Sequence, residues 1–255
     1  MPLVGKEDKS GFTVMFGNTA NPNRDNGLLP MLIITKGKTA SSISKFLTSP
    51  DVERAFGDAH GCSNTGSKQD GWTDAPTHHV HEDGNIISVG AHTHWMNLLN
   101  LKLWIEKIIY PAHKPACARG NPEAPDVPLD PKTAYSIVHI DAYPVHIDKQ
   151  FIPWMKVNYP TLLLVYVPAN CTGVMQIGDL LYNRPLKHHF TSEHMAYLTS
   201  CVTEQLESGV DAQNVKFDTA VSKCAGQSMQ WLLTAFDAVR SVDLEGCLQS
   251  VRYRN

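Results

Sequence analysis

Two short apolar runs separated by a helical stretch constrain this 255-residue chain more than any other feature. Residues 135–140 (YSIVHI) and 162–167 (LLLVYV) have no polar face, and the first ends at Asp141 while Pro168 stops the second. Residues 148–158 between them carry helical patterning. Two apolar strands joined by a helix indicate a parallel βαβ unit, with both faces of its strands buried. In open α/β sheets, functional groups gather at the carboxyl ends of the strands. Asp141 falls at such an end, and Asp179 follows the second strand after a loop long enough to fold back.

The rest of the chain is read around that unit. Residues 12–16 (FTVMF) and 31–35 (MLIIT) are β-rich and flank NTANPNRDNG, so they read as an antiparallel hairpin that makes the sheet mixed. Residues 57–85 read as an irregular loop. Thr93 is the expected cap of a helix whose core stripe is Trp95, Leu98, Leu99, Leu101, Trp104, Ile105, Ile108 and Ile109, ended by Pro111 and Pro115. A connector with Pro122, Pro125, Pro128 and Pro131 follows. From Asp179 to about Arg240 the pattern is largely helical. The expected class is α/β: a mixed sheet flanked by helices, with a helical C-terminal portion.

Composition narrows the function classes. The formal net charge is -3, whereas a stand-alone nucleic-acid binder carries a basic surplus to neutralise phosphates. Any DNA contact must use a local patch, a further module or a metal. The six cysteines form no C-x-x-C pair, which argues against a zinc ribbon and against a disulfide scaffold and favours free thiols. No apolar run reaches the roughly 18 residues of a membrane span, and the N-terminus shows no signal peptide, so no membrane partner is expected. Gly61, Gly66 and Gly71 are too loosely spaced for a phosphate loop.

Two carboxylates converging at a strand end can hold Mg²⁺ or Mn²⁺, which prefer oxygen ligands. A two-ion phosphodiester cleavage needs at least three acids. On spacing alone, solvated or capping aspartates explain Asp141 and Asp179 better than a metal site does. His146 either orients the neighbourhood of Asp141, helps hold a metal-bound water, or is an ordinary core histidine. Arg184, Lys187, His188 and His189 form a small basic patch, read as a DNA-phosphate contact or as a solvated helix face. His78, His79, His81, His92 and His94 cluster in a Gly-rich region with Asp74, Glu82 and Asp83. Zinc is conceivable there, but the expectation is that they do not converge.

Several blocks in order resemble the catalytic domain of pogo-like (Tc/mariner-type) transposases of the DDE superfamily. Val138-His139-Ile140-Asp141-Ala142-Tyr143-Pro144-Val145-His146 resembles the second-aspartate block, an apolar strand followed by D-x-x-P-S-H. The run from Val167-Pro168 through Thr172 and Gln176 to Asp179 is similar to the third-acid block, and Asn183-Arg184-Pro185-Leu186-Lys187 continues it. Lys9 to Val14, Leu29-Pro30 and Lys36-Gly37-Lys38 are similar to the central hairpin, and His94-Trp95 with the helix after it also fits. The likeness runs from about residue 6 to residue 240.

The resemblance implies a ribonuclease-H-like core over residues 1–190 and a helical extension over 191–255 packed on it. It implies Asp141 and Asp179 as metal ligands for Mg²⁺ or Mn²⁺, His146 beside them, and DNA contacts by Arg184, Lys187 and His188. DNA is the implied partner, the nucleus the implied compartment, and a homodimer an open option. The sequence departs from the pattern at Val145, where the family has Ser, and at Ile177, where it has Pro. The family's first aspartate lies on a strand upstream of the hairpin. Asp8 and Asp25 are the nearby acids here, and neither follows an apolar strand. The expectation is therefore an impaired endonuclease core lacking its first strand. The alternative is a non-enzymatic, domesticated transposon protein that binds nucleic acid or chromatin.

Overall fold

Residues Leu32–Lys36 form strand β2, and its first four residues are fully buried. That is the pattern of a strand covered on both sides. Its side chains alternate between two cores: Met31 and Ile33 point into one, Leu32 and Ile34 into the other. The two-residue period of extended backbone dictates this split. In the computed structural model, β2 is the centre of a four-stranded sheet in the order β1-β2-β4-β3, formed with β1 (Phe12–Met15), β3 (His78–Val80) and β4 (Ile86–Gly90). The structure describes residues 12–19, 27–36, 43, 46, 47, 78–80, 85–90, 94–118, 129, 130, 132–168, 178–216 and 221–240.

β1 and β2 pair antiparallel as the expected hairpin, extended by a bridge between Asn18 and Leu28. Gly27 supplies a positive φ of 75° where the chain turns back, a conformation glycine adopts without strain. β2 then pairs in parallel with β4, and β3 pairs antiparallel with β4. The strand β3 lies in the segment read as loop. Residues 57–77 and 81–84 of that segment and the prolines of the connector lie outside the described residues.

Helix α1 (Leu98–Trp104) runs into a π-helical turn (Ile105–Ile109) and on into α2 (Tyr110–Ala118). Its cap is Asn97, whose side chain accepts the Asn100 N–H at 2.8 Å, rather than Thr93. Neither proline ends the helix. Pro111 sits at the second position of α2, directly after the change of helical register. The face of α1 toward the sheet carries a buried polar contact. Ser88 Oγ donates to Asn100 Oδ1 at 2.9 Å, and Thr35 Oγ1 donates to the Ser88 carbonyl at 3.1 Å.

The βαβ unit forms as read. β5 (Ser136–Asp141) and β6 (Leu162–Val167) are parallel and in register from Ser136 opposite Leu162 to Asp141 opposite Val167, joined by helix α3 (Phe151–Asn158). Two expectations fail. Among the described residues β5 and β6 form a separate two-stranded sheet instead of extending the first. One of its faces is buried and the other largely open: Ile140 and Leu162 join the core under α1 and α3, while on the other face Ile137, Leu163 and Val165 are exposed and only Val167, opposite Asp141, is buried. Apolar composition alone does not show whether a second layer covers a strand.

A π-helical turn (Gly178–Asn183) leads into the long helix α4 (Arg184–Glu207), and α5 (Val221–Arg240) packs back along it. Tyr182, Leu186, Met229, Leu232 and Phe236 cover the Ile33–Ile87 face of the four-stranded sheet. Helices thus flank this sheet on both sides, the mixed α/β arrangement expected. Helix α4 runs continuously across residue 190. Neither Cys201 nor Cys224 is in a disulfide. Among the described residues no helix is long and apolar enough to cross a membrane.

Candidate functional site at the carboxyl end of β5

Asp141 is the last residue of β5 and has the same strand parity as Ile137, on the open face of the two-stranded sheet. Its side chain is 40% exposed for that reason. The chain then turns tightly: the His146 N–H donates to the Tyr143 carbonyl at 2.8 Å. This folds the His146 ring back onto Asp141. Its Nδ1 lies 3.1 Å from the Asp141 carbonyl oxygen and 2.5 Å from Oδ1 of the carboxylate. The ring is almost wholly buried, and its Nε2 has no hydrogen-bond partner. Asp148 closes the turn into α3, its carboxylate accepting the Gln150 N–H at 2.7 Å and its carbonyl the Phe151 N–H at 3.1 Å.

A residue that sequence reasoning did not single out completes the assembly. Tyr166, on β6, donates its hydroxyl to the His146 carbonyl at 2.8 Å, tying the turn after β5 to the neighbouring strand. Only the pairing register brings the two residues together. His113 is similar: its Nδ1 lies 2.7 Å from Ser136 Oγ, fastening α2 to the start of β5.

Burial raises the Tyr166 hydroxyl above its usual pKa near 10, and burial does the same to Tyr182; for Tyr159, burial is joined by Glu106 and Tyr110. A group whose pKa is higher in the folded state contributes stability that is complete below its unfolded value and is lost as pH rises through the folded value. Stability is therefore expected to decline as pH climbs above about 10, where a phenolate could no longer donate to the His146 carbonyl. Urea denaturation of wild type and Tyr166→Phe across that range provides the check: the variant should show the shallower alkaline decline. Parallel slopes would remove Tyr166 as a contributor.

The other expected site residues fall as follows. Asp179 lies in the π-helical turn before α4, and its side chain is outside the described residues, so the expected approach of its carboxylate to Asp141 has no measured counterpart. Arg184, Lys187 and His188 occupy the first turns of α4 and are solvent-exposed, with the His188 ring edge-on to His189. The π turn continues into α4 without a break, so no helix N-terminus opens beside them. Farther along α4, His194 packs against Trp231 of α5. Of the histidine cluster, His94 stacks on Trp95. The side chains of the other four lie outside the description, so their convergence is not part of it.

The donor set at the end of β5 fits a hard cation in kind: a carboxylate at a strand end, partly open to solvent, with one of its oxygens engaged among the described residues. Among the described residues, no three His, Cys, Asp or Glu side chains stand close enough to hold a metal ion together. Comparison of the chain with protein-family models, with curated proteins and with solved structures finds no match.

Proposed function

We propose that the chain is a transposase-derived, DDE-type endonuclease domain acting on DNA in the nucleus, with a ribonuclease-H-like core. In this reading Asp141 and Asp179 are carboxylates for Mg²⁺ or Mn²⁺, and Arg184, Lys187 and His188 meet the DNA backbone. When bound, such ions activate the attacking water and stabilise the leaving oxygen. The chain's own residues hold the carboxylate in place and meet the phosphates. The observation that carries the reading is Asp141 at the carboxyl end of a parallel strand, partly exposed and held by His146. The collinear sequence blocks supply the reaction class, and the antiparallel hairpin beside helices on both sheet faces is compatible with the proposed fold.

A second reading is a non-enzymatic nucleic-acid or chromatin binder that keeps this fold, in which the exposed Arg184, Lys187 and His188 at the start of α4 serve binding alone. A plasmid-nicking assay separates the two readings, while DNA binding is common to both. Replacing Arg184 and Lys187 together by alanine is expected to weaken binding to unrelated duplexes alike and to flatten the salt dependence by about one unit per lost phosphate contact. Fluorescence anisotropy over a salt series measures this; an unchanged slope would take both side chains off the DNA.

A further inference from the structure

We propose that His146 is a positioning residue: it clamps Oδ1 of Asp141 through a fixed Nδ1–H tautomer, so that Asp141 offers Oδ2 alone to what the site binds. The inference rests on the proposed reading of Asp141 as a metal carboxylate, and it names how that carboxylate is presented. The two groups facing Nδ1, the Asp141 carbonyl oxygen and carboxylate oxygen, can only accept. The ring proton therefore sits on Nδ1, an assignment made by the hydrogen-bond network.

The ring cannot easily turn away. Its backbone N–H is held by Tyr143, its carbonyl by Tyr166, and the Tyr143 ring stands edge-on to it at 5.7 Å. Its side chain is 9% exposed while that of Asp141 is 40% exposed. The hydrogen bond is thus shielded on the histidine side and open on the carboxylate side. No other hydrogen bond or ion pair engages the Asp141 carboxylate among the described residues.

The unpartnered Nε2 strengthens the assignment. Leaving a buried polar atom unpaired is costly, so a residue that merely filled this space would be better apolar. The ring is worth its place for the other nitrogen. Since Nε2 is occluded and faces no acceptor or donor, it is not a ligand itself. The role follows: His146 removes the rotational freedom of Asp141 and makes it a one-oxygen donor. Partners that orient a metal ligand in this way are worth about 10–100-fold in metal affinity when replaced.

Two side chains separate the nitrogens. The amide nitrogen of asparagine lies where Nδ1 lies; that of glutamine lies nearer Nε2. Two measurements on the full 255-residue chain decide the matter. Long-range ¹⁵N–¹H correlations on histidine-labelled wild type should show His146 in the Nδ1–H form when the ring is neutral. An Nε2–H spectrum would overturn the clamp with no metal involved. In Mn²⁺ titrations followed by the electron paramagnetic resonance of free Mn²⁺, His146→Asn should keep wild-type affinity within about 3-fold, while His146→Gln should lose about 10–100-fold. If asparagine loses as much as glutamine, the donor at Nδ1 is not what matters and the proposal falls. If wild type and Asp141→Ala give the same Mn²⁺ isotherm, the metal-carboxylate reading fails, and with it the presentation of Oδ2 to a metal. The tautomer spectrum then still decides whether His146 clamps Asp141.

Discussion

Plasmid DNA incubated with the 255-residue polypeptide and Mn²⁺ is expected to be nicked very slowly or not at all, and Asp141→Ala is expected to remove whatever nicking remains. The reasoning is electrostatic. Two-ion cleavage concentrates positive charge around the transferring phosphate, and each carboxylate ligand fixes the position of one or both ions. Removing one preorganised electrostatic contribution of this kind costs about 100–1,000-fold in rate. The 255 residues tested carry Asp141 and Asp179 in the matching blocks; unless a third acid joins them, the polypeptide starts with one such deficit, and Asp141→Ala adds a second. Losses within one cooperating site do not add, so the variant should fall to background rather than by a fixed further factor. Robust nicking that Asp141→Ala abolishes would mean that another acid, such as Glu7 or Asp8, fills the third place, and the impaired reading would be wrong. Robust nicking that survives the substitution would remove Asp141 from the chemistry altogether.

The parts of this fold that sequence reading reached are those decided locally. The strand at Leu162–Val167 was legible to the residue because Pro168 cannot continue a ladder and six apolar residues precede it. The hairpin was legible because turn residues separate two β-rich runs. The start of α1 was not. Trp95 carries the helical period backwards by accident: it stacks on His94 outside the helix and is 60% exposed, while the Asn97 side chain makes the capping bond. The proline rule failed at Pro111 because a π turn, which has no sequence signature of its own, had already altered the register.

Non-local features were the hardest to read. Nothing in YSIVHI or LLLVYV distinguishes a strand covered on both faces from one covered on a single face. The exposure of Ile137, Leu163 and Val165 depends on where the helices of other segments pack. At the candidate site, Asp141 stands out from its place at the end of an apolar run, and His146 from its place in the block that resembles D-x-x-P-S-H. The contact between them needed the turn's actual path, and the bond from Tyr166 needed the β5–β6 register.

That register depends on α3, which makes Phe151 the side chain whose loss should be felt most in stability. Phe151 is the first residue of α3, fully buried, and packed in the same cluster as Ile140, Met155 and Leu162, with the Trp154 ring stacked near it at 6.2 Å. It lies in the core that the crossover helix shares with both strands. Truncating a buried phenylalanine to alanine removes its transfer free energy and leaves a cavity, together about 3–5 kcal/mol. Against a typical total of about 5–15 kcal/mol, that is a large fraction, and for a chain of this size it corresponds to a drop in Tm of roughly 6–20 °C. Val157, on the same helix and 79% exposed, is the matched control: Val157→Ala should stay within about 0.5 kcal/mol of wild type. Thermal unfolding followed by circular dichroism measures both. Because Asp141 ends the strand that Phe151 holds, Phe151→Ala should also loosen the His146–Asp141 contact, seen as greater exchange at the His146 ring in the histidine-labelled protein. If Phe151→Ala melts like Val157→Ala, α3 is not docked as described, and the geometry around Asp141 loses its support.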